Sequence, residues 1–126
     1  TWLASAKRSL AFLSGDDVTY YPFLLAGGHG SISVASHVCP RALLEIEAAA
    51  RTGDSAEGER LQATYMPIFR DLFLEANPTP LKWMLAKLGL VENRFRLPLV
   101  SVSEETAKKL AKTVAAYRIE SNEFRR

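Results

Sequence analysis

Residues 10–38 constrain this chain more than any other stretch: Leu-Ala-Phe-Leu-Ser-Gly-Asp-Asp, a short apolar connection, then Gly-Gly-His-Gly-Ser-Ile-Ser-Val-Ala-Ser-His-Val. Residues 10–13 and 31–35 read as two brief strands on either side of a helical stretch. The first run has no polar alternation, as expected for a strand buried on both faces of a parallel sheet. The second alternates serine with apolar residues, as a barrel strand does when small side chains face a crowded interior or a ligand. Two parallel strands need a crossover between them, so the stretch reads as a βαβ unit. Each run ends in small or polar residues, Ser14-Gly15-Asp16-Asp17 and Ser36-His37. The carboxyl ends of strands are where α/β proteins keep their chemistry.

A parallel pair this apolar leaves both outer edges unpaired unless other strands flank it. About five backbone groups per edge, at about 1–3 kcal/mol each when buried without a partner, amount to roughly 10 kcal/mol. That is comparable with the roughly 5–15 kcal/mol by which a whole domain is stable. The reading that follows is a chain that forms part of something longer, with further strands upstream.

The rest of the chain reads as helical. Thr1–Ser9 carries Trp2, Leu3, Ala6 and Leu10 at helical spacing, the tail of an amphipathic helix. Asp16 or Asp17 is expected to cap a helix with Tyr20, Phe23 and Leu24 on its buried face, ended by Gly27-Gly28. Pro40 suits a first helical turn, Leu43, Ile46 and Ala50 form a face, and Gly53 ends it. Asp54-Ser55-Ala56-Glu57 resembles a capping box before a long helix reaching about Ala76. Thr79 is expected to cap, and Pro80 to open, a helix closed by Gly89. Arg96-Leu97-Pro98-Leu99 is expected to be extended, and Ser103-Glu104-Glu105 to start the last helix.

The length of 126 residues allows one domain with a real core, and the composition is that of a globular protein. The net charge of +2 comes from mixed basic and acidic residues, so no footprint for nucleic acid or for a membrane surface is visible. No apolar run reaches the length of a membrane span and no signal-peptide pattern opens the chain, so a cytoplasmic location is expected. Cys39 is the one cysteine, which excludes an internal disulfide and fits a buried, inert thiol.

Several side chains invite a catalytic reading and have a plainer one. His29, between glycines, is expected to be a loop histidine bonded to backbone, and His29 and His37 lack a third partner for a metal. Gly28-His29-Gly30 starts like a dinucleotide fingerprint, but Ser33 replaces the third glycine and a strand follows, not a helix. Asp16 and Asp17 are neighbours whose side chains diverge, which suits capping better than a metal or acid/base pair. Lys82 lies in the first turn of a helix, a structural place.

Four ordered blocks carry a resemblance: Leu13-Ser14-Gly15-Asp16-Asp17, residues 27–37 from Gly27 to His37, Asn77-Pro78-Thr79-Pro80-Leu81-Lys82, and Arg96-Leu97-Pro98-Leu99. Together they resemble the carboxyl-terminal portion of the dihydrodipicolinate synthase / N-acetylneuraminate lyase family. The resemblance implies an α/β fold, the last two βα units of a (β/α)8 TIM barrel plus an appended helical region. Residues 1–53 would carry the seventh and eighth barrel strands with their helices, and residues 54–126 the helical region. It also implies a lyase that condenses pyruvate with aspartate semialdehyde through a Schiff base on a barrel lysine, in lysine and diaminopimelate biosynthesis. Ile32 then matches the eighth-strand position whose main chain touches pyruvate, expected on its carboxylate side, and Gly15 the seventh-strand glycine that lines the site. His37 stands where many members have Asn. The resemblance implies a homotetramer, with the Ala26-Gly27-Gly28 corner near a subunit contact, and no cofactor.

The Schiff-base lysine, the proton-relaying tyrosine and the threonine pair of that family have no counterpart here, so no catalytic residue is expected in this chain. A class I aldolase needs an amine that is neutral near pH 7. Lys7, Lys82, Lys87, Lys108, Lys109 and Lys112 all fall on helical stretches with polar neighbours, where an amine stays protonated. The chain alone is therefore expected to be inactive. Two other readings remain open: a sister branch of the family, such as an N-acetylneuraminate lyase or a sugar-acid aldolase, and a non-catalytic piece acting only through assembly.

Overall fold

The computed structural model describes residues 10–117 and Ile119, so the helical stripe expected at residues 1–9, with Lys7, lies outside the described residues. The order is β1 (Leu13–Ser14), α1 (Tyr20–Leu25), β2 (Gly30–Ser31), a 3-10 turn at Ala35–His37, α2 (Pro40–Thr52), α3 (Ser55–Asp71), α4 (Thr79–Lys87) and α5 (Glu104–Ala116). β1 and β2 pair in parallel, Leu13 opposite Gly30 and Ser14 opposite Ser31, and α1 is their crossover.

Both strands are shorter than the sequence predicts. Residues 31–35 leave the ladder after Ile32, because the serines compete with it for backbone groups. Ser33 Oγ accepts from the Ser36 N–H at 2.9 Å, and Ser36 Oγ donates to the Ser33 carbonyl at 2.8 Å. What reads as strand alternation is a serine-closed turn. The first run is not buried either: Leu10 and Leu13 are 55% and 52% exposed. Among the described residues the pair has no third strand beside it.

Neither aspartate caps α1, whose N-cap is Thr19. Asp16 closes the turn before it, Oδ1 accepting from the Val18 N–H and Oδ2 from the Thr19 N–H, so the helix starts one turn later than expected. α2 follows its signals, with Pro40 in the first turn and Gly53 at φ 76° as the left-handed cap. Asp54 accepts from the Glu57 N–H at 3.1 Å and starts α3.

That helix ends at Asp71 rather than near Ala76. Phe73 and Leu74 donate to carbonyls three residues back, on Arg70 and Asp71, and this tightening ends the helix. Thr79 is the first residue of α4 and not its cap, since its hydroxyl is spent on the Ala76 carbonyl. Residues 96–99 turn instead of extending: Pro98 has no N–H for a ladder, and the Leu99 N–H donates to the Arg96 carbonyl at 3.0 Å. Ser103 caps α5 by accepting from the Thr106 N–H.

The core lies between the helices, where Ile46, Ile68, Phe69, Leu72, Met84 and Leu110 are wholly buried. The βαβ unit is fastened to it by Tyr21, whose ring lies against Gly58 of α3. A Cβ on Gly58 would stand 2.2 Å from Tyr21 Cε2, so only glycine allows this approach.

Candidate functional site

The ladder brings together the two residues singled out as site-lining. The Ile32 N–H donates to the Ser14 carbonyl at 2.8 Å, so Gly15 and Ile32 follow directly on adjacent strand ends. An added Cβ on Gly15 would meet nothing within 4 Å, which leaves open space at the end of β1. Ile32 is 75% exposed. With its N–H committed, the polar atom Ile32 can offer a ligand is its carbonyl oxygen, to which no hydrogen bond is made among the described residues. A carbonyl oxygen meets hydrogen-bond donors, not carboxylates.

Behind these strand ends lies a buried polar tether. Asp17, 1% exposed, turns away from Asp16: its Oδ2 accepts from the N–H groups of Val34 and Ala35 at 3.2 and 2.9 Å, at the start of the turn that follows Ile32. Its Oδ1 is buried with no hydrogen-bond partner among the described residues. The backbone at Asp17 is held by Gln62 of α3, whose Nε2 donates to the carbonyls of Asp17 and Val18 at 3.0 and 2.9 Å. Gln62 Oε1 accepts from the Tyr21 N–H at 3.3 Å. The sequence reading missed both roles. The signal available was a glutamine set beside Leu61 in a helix of apolar periodicity, and a buried polar residue needs a reason.

The remaining candidates resolve into structural roles. His29 Nδ1 accepts from the Phe12 N–H at 3.1 Å while the His29 N–H donates to the Phe12 carbonyl, so the histidine is bonded to backbone as expected and lengthens the ladder. His37 Nδ1 lies 3.2 Å from the Val34 carbonyl. Among the described residues no group of three potential ligands could hold a metal ion. The described lysines sit on α4 and α5: Lys82 Nζ donates to the Arg94 carbonyl and lies 4.9 Å from the centre of the Phe95 ring, and Lys109 pairs with Asp71 at 3.2 Å.

A cavity of about 360 Å³ opens between the strands and α2, lined by Leu13, Tyr20, Ser31, Ser33, Leu43 and Glu47 among others. Within it Tyr20 donates to Glu47 Oε2 at 3.2 Å, and burial, then the Glu47 charge, pushes the phenol above its ordinary value. A phenol held protonated in this way is no base at neutral pH.

The chain is similar to known proteins in both sequence and fold. The chain is 48% identical to the 4-hydroxy-tetrahydrodipicolinate synthase of Azoarcus sp. over 99 residues, covering 79% of this chain and 34% of that protein. It therefore spans about a third of the length of the curated relatives it matches. The dihydrodipicolinate synthase of Aquifex aeolicus superposes with a TM-score of 0.89 at 36% identity, over 93% of this chain and 40% of that one. The chloride-inhibited enzyme of Acinetobacter baumannii, solved complexed with pyruvate, superposes with a TM-score of 0.82 at 34% identity, over 87% of this chain and 38% of that one. No described helix is long and apolar enough to cross a membrane. With residues 2–117 matching its sequence pattern and the α/β fold of its members reproduced, the chain belongs to the dihydrodipicolinate synthetase family.

Proposed function

We propose that this chain forms one wall of a pyruvate site, and the helical region behind it, in a Schiff-base-forming class I aldolase-type lyase. The reaction is most like that of 4-hydroxy-tetrahydrodipicolinate synthase, which condenses pyruvate with aspartate semialdehyde. In this reading β1 and β2 are the seventh and eighth strands of a (β/α)8 barrel, residues 1–53 belong to that barrel, and residues 54–126 are the appended helical region.

The observation that carries the proposal is the parallel register that sets Gly15 and Ile32 side by side at two strand carboxyl ends. Such an end is the working face of a barrel. The pyruvate bound to the Acinetobacter relative, and the synthase name of the Azoarcus relative at 48% identity, support the substrate and the branch.

The chemistry divides accordingly. A neutral lysine amine adds to the ketone carbon of pyruvate, and the carbinolamine takes up a proton and loses water to give an iminium ion, whose methyl group gives up a proton to form the enamine that attacks the aldehyde. In this reading that lysine comes from outside this chain, the described lysines lying on α4 and α5. Gly15 leaves room for the small ligand to approach backbone. The Ile32 carbonyl can accept a hydrogen bond from the hydroxyl or N–H of the intermediate, since pyruvate itself carries no donor.

The test joins this chain to the part of the Azoarcus enzyme it does not match, incubates the chimera with pyruvate and borohydride, and weighs it. Hydride adds to the iminium carbon and fixes it as a secondary amine. A stoichiometric adduct on a lysine of the Azoarcus part, with none on this chain alone, is expected. An adduct on a lysine of this chain, or a folded chimera that traps nothing, overturns the proposal. The complete enzyme is further proposed to be a cytoplasmic homotetramer, with Ala26 to Gly28, beside the exposed Leu25, near a subunit contact. Light scattering that finds the chimera monomeric at micromolar concentration would remove that part.

A further inference from the structure

We propose that Asp17 and Gln62 are positioning residues of the pyruvate site: Gln62 on α3 holds the turn after β1, and the Asp17 carboxylate held there fixes the turn after β2 that carries Ile32. The inference rests on the pyruvate-lyase reading and deepens it.

The geometry runs in one line from the helical region to the site. A single Gln62 side chain, 6% exposed, bonds three backbone groups of the turn after β1, the carbonyls of Asp17 and Val18 and the N–H of Tyr21. This fixes the backbone from which the Asp17 side chain springs. Asp17 Oδ2 then takes both N–H groups of Val34 and Ala35, two and three residues beyond Ile32. On its other side Ile32 is fixed through its own N–H to the Ser14 carbonyl. The Ile32 carbonyl is thus set by one bond before it and two after it, and the two after it depend on Asp17.

The two oxygens of Asp17 are used unequally, which makes the role testable. Oδ2 takes both bonds while the buried Oδ1 takes none among the described residues. An asparagine can keep its carbonyl oxygen in the place of Oδ2 and set its amide nitrogen in the place of Oδ1, where there is no bond to lose. If Asp17 acts by holding two N–H groups, Asn serves nearly as well, and Ala does not.

The chimera described above is the enzyme for the test, with the pyruvate adduct, the melting temperature, and separate KM values for pyruvate and for aspartate semialdehyde as readouts. Gln62→Ala and Asp17→Ala are expected to raise the KM for pyruvate about tenfold, with the aldehyde KM changed less than about twofold. Asp17→Asn is expected to stay within about threefold of the unaltered chimera. Leu61→Ala, a buried neighbour on α3 that makes none of these bonds, is expected to lower the melting temperature without moving the pyruvate KM.

Should Asp17→Ala not fold, Gln62→Ala and Asp17→Asn still decide the matter. A folded Gln62→Ala chimera with an unchanged pyruvate KM overturns the proposal. So does a pyruvate KM in Asp17→Asn more than about tenfold above that of the unaltered chimera, because the carboxylate would then act by its charge. Failure of the unaltered chimera to trap pyruvate sinks the lyase reading itself, and is seen before any variant is made.

Discussion

The two-stranded ladder and the core between the helices treat their apolar side chains in opposite ways. In the helical part, Phe69, Ile68, Leu72, Met84 and Leu110 are fully enclosed by other helices of the same chain. In the βαβ part, Leu10, Leu13 and Ile32 are exposed on a ladder of two residues per strand. Two strands alone are marginal in water. The core between the helices is enclosed within this chain, while the strand ends that carry the proposed site depend on neighbours. The Gln62 tether and the Tyr21 ring against Gly58 join the two.

The largest effect that could break this contrast is in the core. In the isolated chain, Phe69→Ala should cost about 3–5 kcal/mol by urea unfolding, because the cavity opens among side chains with nowhere to relax. Leu13→Ser, on a half-exposed strand residue, should cost less than about 1 kcal/mol there. In the chimera, where strands flank the pair, the same Leu13→Ser should rise to about 2–3 kcal/mol. Equal costs for Leu13→Ser in both settings would mean that the ladder needs no neighbours.

Two glycines sharpen the comparison. Gly15 has open space where a side chain would go, and Gly58 has the Tyr21 ring. Gly15→Val should leave the melting temperature of the chimera unchanged and raise its pyruvate KM about hundredfold, worth roughly 2.7 kcal/mol of binding. Ile32→Val, which alters only an exposed side chain and keeps the carbonyl, should retain most activity. Equal small effects from the two would argue against this pair as the pyruvate wall. Gly58→Ala should do the reverse, lowering stability by about 1–3 kcal/mol through overpacking with the pyruvate KM little changed. Replacing Tyr21 with Leu in the same chain should recover part of that loss, and a double variant no better than the single would deny the contact.

How far the sequence could be read follows the same division. Gly53, Asp54 and Ser103 terminate helices through bonds to residues within a few positions, so their signals are local and the structure follows them. The four blocks of the family resemblance are local strings too, which is why the family was legible. The strand limits were not, because Ser33 and Ser36 spend their side chains on a turn that the alternation of residue types conceals. Asp17 and Gln62 lay further out of reach: the carboxylate binds amides on a different strand end, and its backbone is held from a helix residue 45 positions further along the chain. Nothing beside Asp17 in the sequence distinguishes it from Asp16, which closes its own turn.

The smallest expected effect tests whether surface ties in the helical region matter as the buried tether does. Glu75 Oε1 accepts from the N–H and hydroxyl of Ser103 at 2.9 and 2.8 Å, linking the turn after α3 to the start of α5. Bonds from Thr106 and then Ser103 hold its carboxyl below the ordinary value of 4.5. The folded carboxyl therefore binds a proton less readily than the unfolded one. Its contribution is fully present above the unfolded value and is lost as pH falls through the lower folded value. Glu75→Gln should lower the urea midpoint slightly at about pH 6, and the gap should close on acidification to about pH 3. Glu57, lowered by Arg60, titrates in the same direction, so the variant should reduce the acid slope without abolishing it. A gap that stays constant with pH would mean that Glu75 acts through packing, with no share in the charge-assisted link. The test separates the regions again, because the link through Glu75 is solvated and screened by salt, whereas Asp17 is buried between the two turns it joins.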